Sequence, residues 1–426
     1  LYRGNLFDKQ YYNNVFVAEP AANLIKRNVL EQKGFTTSGQ QAYKGREFLS
    51  SLYELFRPVS LYNGPDGALY VVDMYRGIIQ HKSFLTDYLK SEILKRNLSQ
   101  PVNCGRIYKI IPKNKSVESF TMPQEPVKLV EMLAHPNGWV RDKAQQMLID
   151  GKYIRVVPQL RELLKSNQNK LTRIHALWTL EGLGSLEAGD VLSLLDDQDL
   201  NVRAQALAVM PSVVNSSSYM HFIPALQKLA RQTDTLTAPY LAFQIRAIQP
   251  FDQRSADNLL LDLLNKYPGN AYVTDAIISN LKGRESIFYK QAISLKTDTN
   301  QLAFTRLKSV IADIKSNENN KDANLLRKQF PRGASLFRST CLPCHGADGN
   351  GIPSLAPPLN RSEWVKGDKD KLIAIVLHGL TGPVMVNNKL YKSPEINGDM
   401  PGIGSNKDIV DEDIAQLLSF IRKSWN

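Results

Sequence analysis

Three copies of one short motif stand in the middle of the chain: Arg141-x-x-Ala144, Arg173-x-x-Ala176 and Arg203-x-x-Ala206. Their spacings are 173 − 141 = 32 and 203 − 173 = 30 residues. Around them apolar residues return every third or fourth position, as in Leu129, Met132, Leu133 and then Val140, Ala144, Met147, Leu148, which puts an apolar stripe on each of two short helices. Paired helices recurring at this period predict an α-solenoid, because one pair cannot bury its apolar face alone and must stack on the next. The pattern runs from Pro126 to about Lys321, with more degenerate units around Ala242–Ile248 and Val273–Leu281. Solenoids commonly serve as scaffolds, so Trp139 and Trp178 are read as core residues rather than electron relays.

Upstream the period changes to two. Val15–Ala18, Leu24–Arg27, Ala68–Val72 and Arg106–Ile111 read as strands, and Asn63-Gly64-Pro65-Asp66-Gly67 reads as a tight turn, so the stretch from Asn14 to about Pro112 predicts antiparallel β-structure. Cys104 stands just before the last of these strands and reads as a small buried apolar residue. Phe56-Arg57-Pro58-Val59, the run Gly64 to Asp73, and Gly105-Arg106-Ile107-Tyr108 resemble closing-blade segments of β-propellers in the soluble glucose/sorbosone dehydrogenase class. The resemblance covers one blade and part of another, whereas propellers close with about four to eight. It implies that the catalytic histidine and a pyrroloquinoline quinone site would belong to upstream blades, and that a further chain or segment would complete the propeller. Asp73, Arg76 and His81 are expected to make structural hydrogen bonds.

The polar run Asn317-Glu318-Asn319-Asn320-Lys321-Asp322 reads as a linker into a last unit of about a hundred residues. There Cys341-Leu342-Pro343-Cys344-His345 forms a C-x-x-C-H sequence, the attachment signature of c-type haem. Positions three apart on a helical turn lie roughly 5–6 Å from each other, so both thiols reach one porphyrin edge while the adjacent imidazole faces the iron. A structural zinc site would need a second ligand pair at set spacing, and none follows. A thioredoxin-like pair would need a βαβ unit, which the surrounding sequence lacks.

The surroundings of that motif resemble the cytochrome c family. Gly333 and Phe337, with Leu417, Phe420 and Ile421, resemble its crossing of first and last helices. Ala356-Pro357-Pro358-Leu359 resembles the loop whose proline carbonyl accepts a hydrogen bond from the ligating histidine, which implies that Pro357 orients His345. Asn397-Gly398-Asp399-Met400-Pro401-Gly402 resembles the segment that supplies a methionine ligand, implying His345 and Met400 as the iron's axial pair. The residues themselves leave three candidates for the distal position. His378 reads as a helix cap and Met385 as pocket wall in a hairpin turning at Asn387-Asn388. Met400, 400 − 345 = 55 residues after the proximal histidine in a Gly- and Pro-rich loop, is the favoured one. Asp368–Leu377 and Asp411–Lys423 read as helices with acidic first turns. His81, His135, His175 and His221 have no ligand-like neighbours and read as structural.

The formal charge of +12 is dispersed through every segment, which argues against nucleic acid and favours encounter with an acidic redox partner. Apolar runs such as Leu259–Leu264 are broken long before the roughly 18 residues a membrane span needs. Leu1 is not a natural start and no export signal follows it, so the chain reads as a fragment or a mature piece.

The expectation is therefore a multidomain chain: incomplete propeller blades over 1–112, a solenoid resembling HEAT repeats over 113–322, and an all-α cytochrome c domain over 323–426. This order resembles large haem proteins of bacterial envelopes described as membrane-bound dehydrogenases. It implies a periplasmic or otherwise extracytoplasmic electron-transfer module with one covalent haem c, part of an oxidoreductase whose catalytic part lies outside this chain, with a respiratory carrier as partner. The rival reading is a haem-bearing scaffold that oxidises no substrate; a haem peroxidase, which needs an open sixth position, is disfavoured by Met400.

Overall fold

A computed structural model describes residues 1–79, 85–165, 169–232, 234–295, 299–319, 322–396, 398–406 and 408–425. The chain divides into two compact units, Leu1–Lys308 and Ser309–Asn426. In the first unit, Val15–Glu19, Leu24–Lys33, Thr36–Gln41 and Leu49–Ser50 form an antiparallel sheet, and Pro58–Asn63, Leu69–Asp73 and Arg106–Ile110 form another. The alternation that identified these strands places Phe16, Ile25, Leu69 and Val71 in one core with Tyr2 and Phe7. The predicted turn joins Pro58–Asn63 to Leu69–Asp73: Gly67 adopts φ +77°, and Asp66 accepts hydrogen bonds from the Ala68 N–H and the Tyr70 hydroxyl. The fully buried Asp73 carboxylate accepts from the backbone of Arg57 and Tyr75 and from the Arg106 guanidinium, a structural role. Arg76 likewise ties backbone to backbone through Leu55. His81 lies outside the described residues.

Two expectations for this region are corrected. A helix, Asp87–Lys95, interrupts the strands, started by the Thr86 hydroxyl accepting the Leu89 N–H. Cys104 is exposed, because it follows a left-handed turn at Asn103 (φ +59°) and leads into a strand that, among the described residues, is paired on one side only. The sheets close no propeller among the described residues.

The solenoid follows as paired helices, with Gly138–Asp150, Lys170–Gly182, Leu200–Val209, Ala238–Gln244 and Ala271–Ser279 as the second members of successive pairs. The repeated Arg-x-x-Ala has a physical basis. Ala144, Ala176 and Ala206 are fully buried, letting neighbouring helices approach. Each arginine returns to carbonyls that the preceding turn or helix end leaves unpaired: Arg141 to His135 and Pro136, Arg173 to Leu164, Arg203 to Asp197 and Gln198. A second repeated element was not read from the sequence: Asn137, Asn169, Asp199 and Asn270 each cap the helix that follows through a side-chain oxygen. Asn137 also donates to the carbonyls of Gly64 and Pro65, seating the β-turn on the first helical pair. Trp139 and Trp178 are half-buried rather than core, the latter donating to Gln205 Oε1 at 2.7 Å. Helices enter the expected linker from both sides: Leu302–Asn319 takes in its first three residues and Asp322 opens the next helix.

His175 shows how this packing couples to pH. Burial, reinforced by the positive charge of Arg141, pushes its imidazole down to about 4 from an ordinary 6.5. Between those values the unfolded chain binds a proton that the folded chain refuses, so stability is full above about pH 6.5 and is lost progressively as pH falls toward 4. Urea titrations of the native chain across this window should show a loss of about 3 kcal/mol that His175→Gln removes. Equal acid sensitivity in that variant would assign the loss elsewhere.

Candidate cofactor site

The second unit builds its site on two crossing helical stretches. Pro331–Leu336 continues through a wide π-turn, Phe337–Cys341, into Leu342–His345, where Gly346 (φ +77°) ends the helix. A Cβ at Gly333 would collide with the Gln416 carbonyl of the helix Asp411–Ser424, so only glycine allows these backbones to cross. Phe337, Phe420 and Trp425 pack in the angle of the crossing, with ring centroids 4.6–5.9 Å apart. The Trp425 indole donates to the Asp348 carbonyl at 2.9 Å, tying the chain end to the loop after the C-x-x-C-H turn.

That loop fixes the histidine. His345 is 8% exposed, and its Nδ1 lies 3.0 Å from the Pro357 carbonyl oxygen. A carbonyl only accepts, so Nδ1 carries the proton and Nε2 keeps its lone pair. Burial lowers the imidazole's pKa, which keeps the ring neutral, while the Pro357 bond opposes the shift. Gly351 (φ +78°) makes the approach possible: its N–H donates to the His345 carbonyl at 2.9 Å, and a Cβ there would strike the Ala356–Pro357 backbone. Cys341 and Cys344 are unpaired thiols, and burial, then the neighbouring Cys344, pushes Cys341 up to about 11.

Met400 reaches the site by a different route from an irregular loop. Met400–Pro401 is a short strand paired with Gly379–Leu380 at the end of the helix Lys369–His378. Ile403 and Gly404 donate to the carbonyls of Val376 and Leu377, both at 3.0 Å. Gly379 and Gly402 permit this contact, since a Cβ on either would collide with the opposite backbone. The Asn387-Asn388 hairpin forms as expected between Val384–Val386 and Lys389–Tyr391, with both asparagines left-handed.

Cys341, Cys344, His345, Pro357 and Met400 line one largely apolar cavity of about 570 Å³, within the range of small-molecule and cofactor sites. Val384 and Val386 are among its walls, but Met385, one step out of phase, is 48% exposed and not part of the wall it was expected to form. His378 is exposed, outside the lining. Sequence reasoning missed Trp364, which lines the cavity while donating to the Met385 carbonyl at 2.8 Å, and missed the glycines that shape it. Glycine-rich turns at 346–351 and 379–382 were the available signal. Two thiols three residues apart, a neutral imidazole and a thioether around an apolar cavity fit a covalently held haem.

Comparison with known proteins agrees with this geometry. Residues 328–421 match the family described as cytochrome C oxidase, cbb3-type, subunit III; residues 126–211 match HEAT repeats; and residues 1–114 match a domain of unknown function. Over 97 residues the chain is 34% identical to cytochrome c-552 of Thermus thermophilus, covering 22% of this chain and 67% of the relative. Over 115 residues it is 30% identical to the cbb3-type cytochrome c oxidase subunit FixPc of Rhizobium leguminosarum bv. viciae, covering 27% of this chain and 38% of that subunit. No described helix is long and apolar enough to cross a membrane. Through its C-terminal unit, then, this chain belongs to the cytochrome c family, with the haem-based electron-transfer role that its relatives support.

Proposed function

We propose that the C-terminal unit carries one haem c joined through Cys341 and Cys344, with His345 and Met400 as the residues that would ligate its iron, and that it is the electron-transfer module of an extracytoplasmic multidomain dehydrogenase. The observation that carries this reading is the single cavity lined by both thiols, the oriented imidazole and one thioether, with Met385 and His378 outside it. When bound, haem supplies reversible one-electron chemistry at its iron. The protein's contribution is positional. The Pro357 carbonyl holds the His345 tautomer that leaves Nε2 free to ligate. The strand pair Gly379–Leu380 with Met400–Pro401 fixes where the thioether stands. Apolar walls such as Leu372, Val376 and Val386 exclude water and so favour the less charged ferrous state. A respiratory carrier is the proposed acceptor, in keeping with relatives named as oxidase subunits. The donor in this proposal is an oxidation at a quinone-bearing propeller to which residues 1–112 would contribute the last blades.

Covalent attachment tests the core of this reading. Exported with a haem-maturation system, the chain should retain about one haem after denaturing electrophoresis, and the paired Cys341→Ser, Cys344→Ser variant should retain none. Retention by the double variant, or haem-free wild type under those conditions, would remove the proposal's foundation.

A further inference from the structure

The cofactor cavity of the second unit has one cationic side chain in its wall. Among its described lining residues Lys392 is the only lysine or arginine and Asp399 the only carboxylate, in a wall otherwise built, apart from His345, of apolar and uncharged side chains. Lys392 is exposed, which places it at the cavity mouth, and its ammonium makes no ion pair or hydrogen bond with the described residues. The nearest carboxylate along the chain, Glu395, is matched instead by Lys389 at 3.2 Å. The backbone holds this lysine in place. Tyr391, just before it, pairs with Val384 in the hairpin, and the Lys392 carbonyl accepts from the N–H groups of Glu395 and Ile396 at 2.8 and 3.2 Å. Ile396 in turn bridges to Ser354, in the loop between His345 and Pro357.

With the haem proposed above as occupant, on which this assignment rests, two carboxylates enter the cavity on one edge of a largely apolar disc. Walls such as Leu372, Val376 and Val386 suit the disc but offer a carboxylate nothing for its lost hydration. Asp399 would repel it. A lysine meets the need, since its apolar stem can lie along the wall while its ammonium donates to the carboxylate. We propose that Lys392 donates a charge-assisted hydrogen bond to a haem carboxylate and offsets that negative charge near the iron. Lys392 is thus a positioning residue for the cofactor, distinct from the side chains that would attach or ligate it.

The exported, haem-loaded chain is to be compared with Lys392→Gln, Lys392→Arg and, as control, Lys369→Gln, which alters an exposed lysine outside the lining. Resonance Raman spectroscopy reads the bending mode of the haem carboxylate side chains, which responds to their hydrogen bonding, and an electrochemical titration reads the potential. Lys392→Gln should shift that mode and lower the potential, because a negative charge left unmatched near the iron favours the ferric state. Lys392→Arg keeps the positive charge and should shift both less, and Lys369→Gln should leave the mode where it is. With haem attached throughout, an unshifted mode in Lys392→Gln, equal shifts in the Gln and Arg variants, or an equal shift in Lys369→Gln would each overturn this inference while the haem reading stands. A wild type without haem removes both.

Discussion

Replacing Met400 with alanine is expected to abolish the sulfur-to-iron charge-transfer band of the oxidised protein. It should also lower the haem potential by a sizeable part of the roughly 0.8 V over which axial ligands tune haem. The expectation follows from the proposed ligation. A thioether is a soft ligand that favours ferrous iron, and its loss leaves the site to water or a harder ligand that favours the ferric state. Folding should be little affected, because the Met400 segment is held by backbone pairing with Gly379–Leu380 and by the Ile403 and Gly404 hydrogen bonds rather than by the side chain. Met385→Ala, at an exposed position, should leave band and potential in place. Loss of the band in the Met385 variant with retention in the Met400 variant would move the ligand to the hairpin.

The second large effect is mechanical. Gly333→Leu should destabilise the unit Ser309–Asn426 by about 3 kcal/mol or more, because the new side chain meets the Gln416–Leu417 backbone, which cannot rotate away as a side-chain tip would. In a thermal scan its transition should fall by roughly 10 °C or more while that of Leu1–Lys308 stays in place. Gly398→Ala is the control, since a Cβ there meets nothing within 4 Å. A Gly333→Leu protein with an unshifted transition would mean that the two helices separate without cost, contrary to the tight crossing described above.

The legible parts of this chain are those in which function and fold are encoded by near neighbours. C-x-x-C-H needs only one helical turn to bring Cys341, Cys344 and His345 together, and Asn387-Asn388 needs only its own left-handed preference to reverse a strand. The 30–32-residue repeat was legible for the same reason, since each helical pair repeats the same local problem of burying one face and satisfying one helix end. Misreadings arose where a neighbour distant in sequence decides. Cys104 looks apolar and strand-adjacent, but its exposure depends on which strands pair with Arg106–Ile110. Met385 obeys the alternation read from its hairpin, yet the alternation does not say which face meets the cavity.

By itself the sequence determined the helical repeat and the C-x-x-C-H motif, because these rest on spacing along one chain. Tertiary structure alone decided that Gly351 brings Pro357 to the histidine and that Gly379 and Gly402 press the Met400 strand against a helix end. A glycine's spelling is the same whether it loosens a turn or admits a backbone. The difference is set by what stands opposite it, often tens of residues away, and only packing supplies that neighbour.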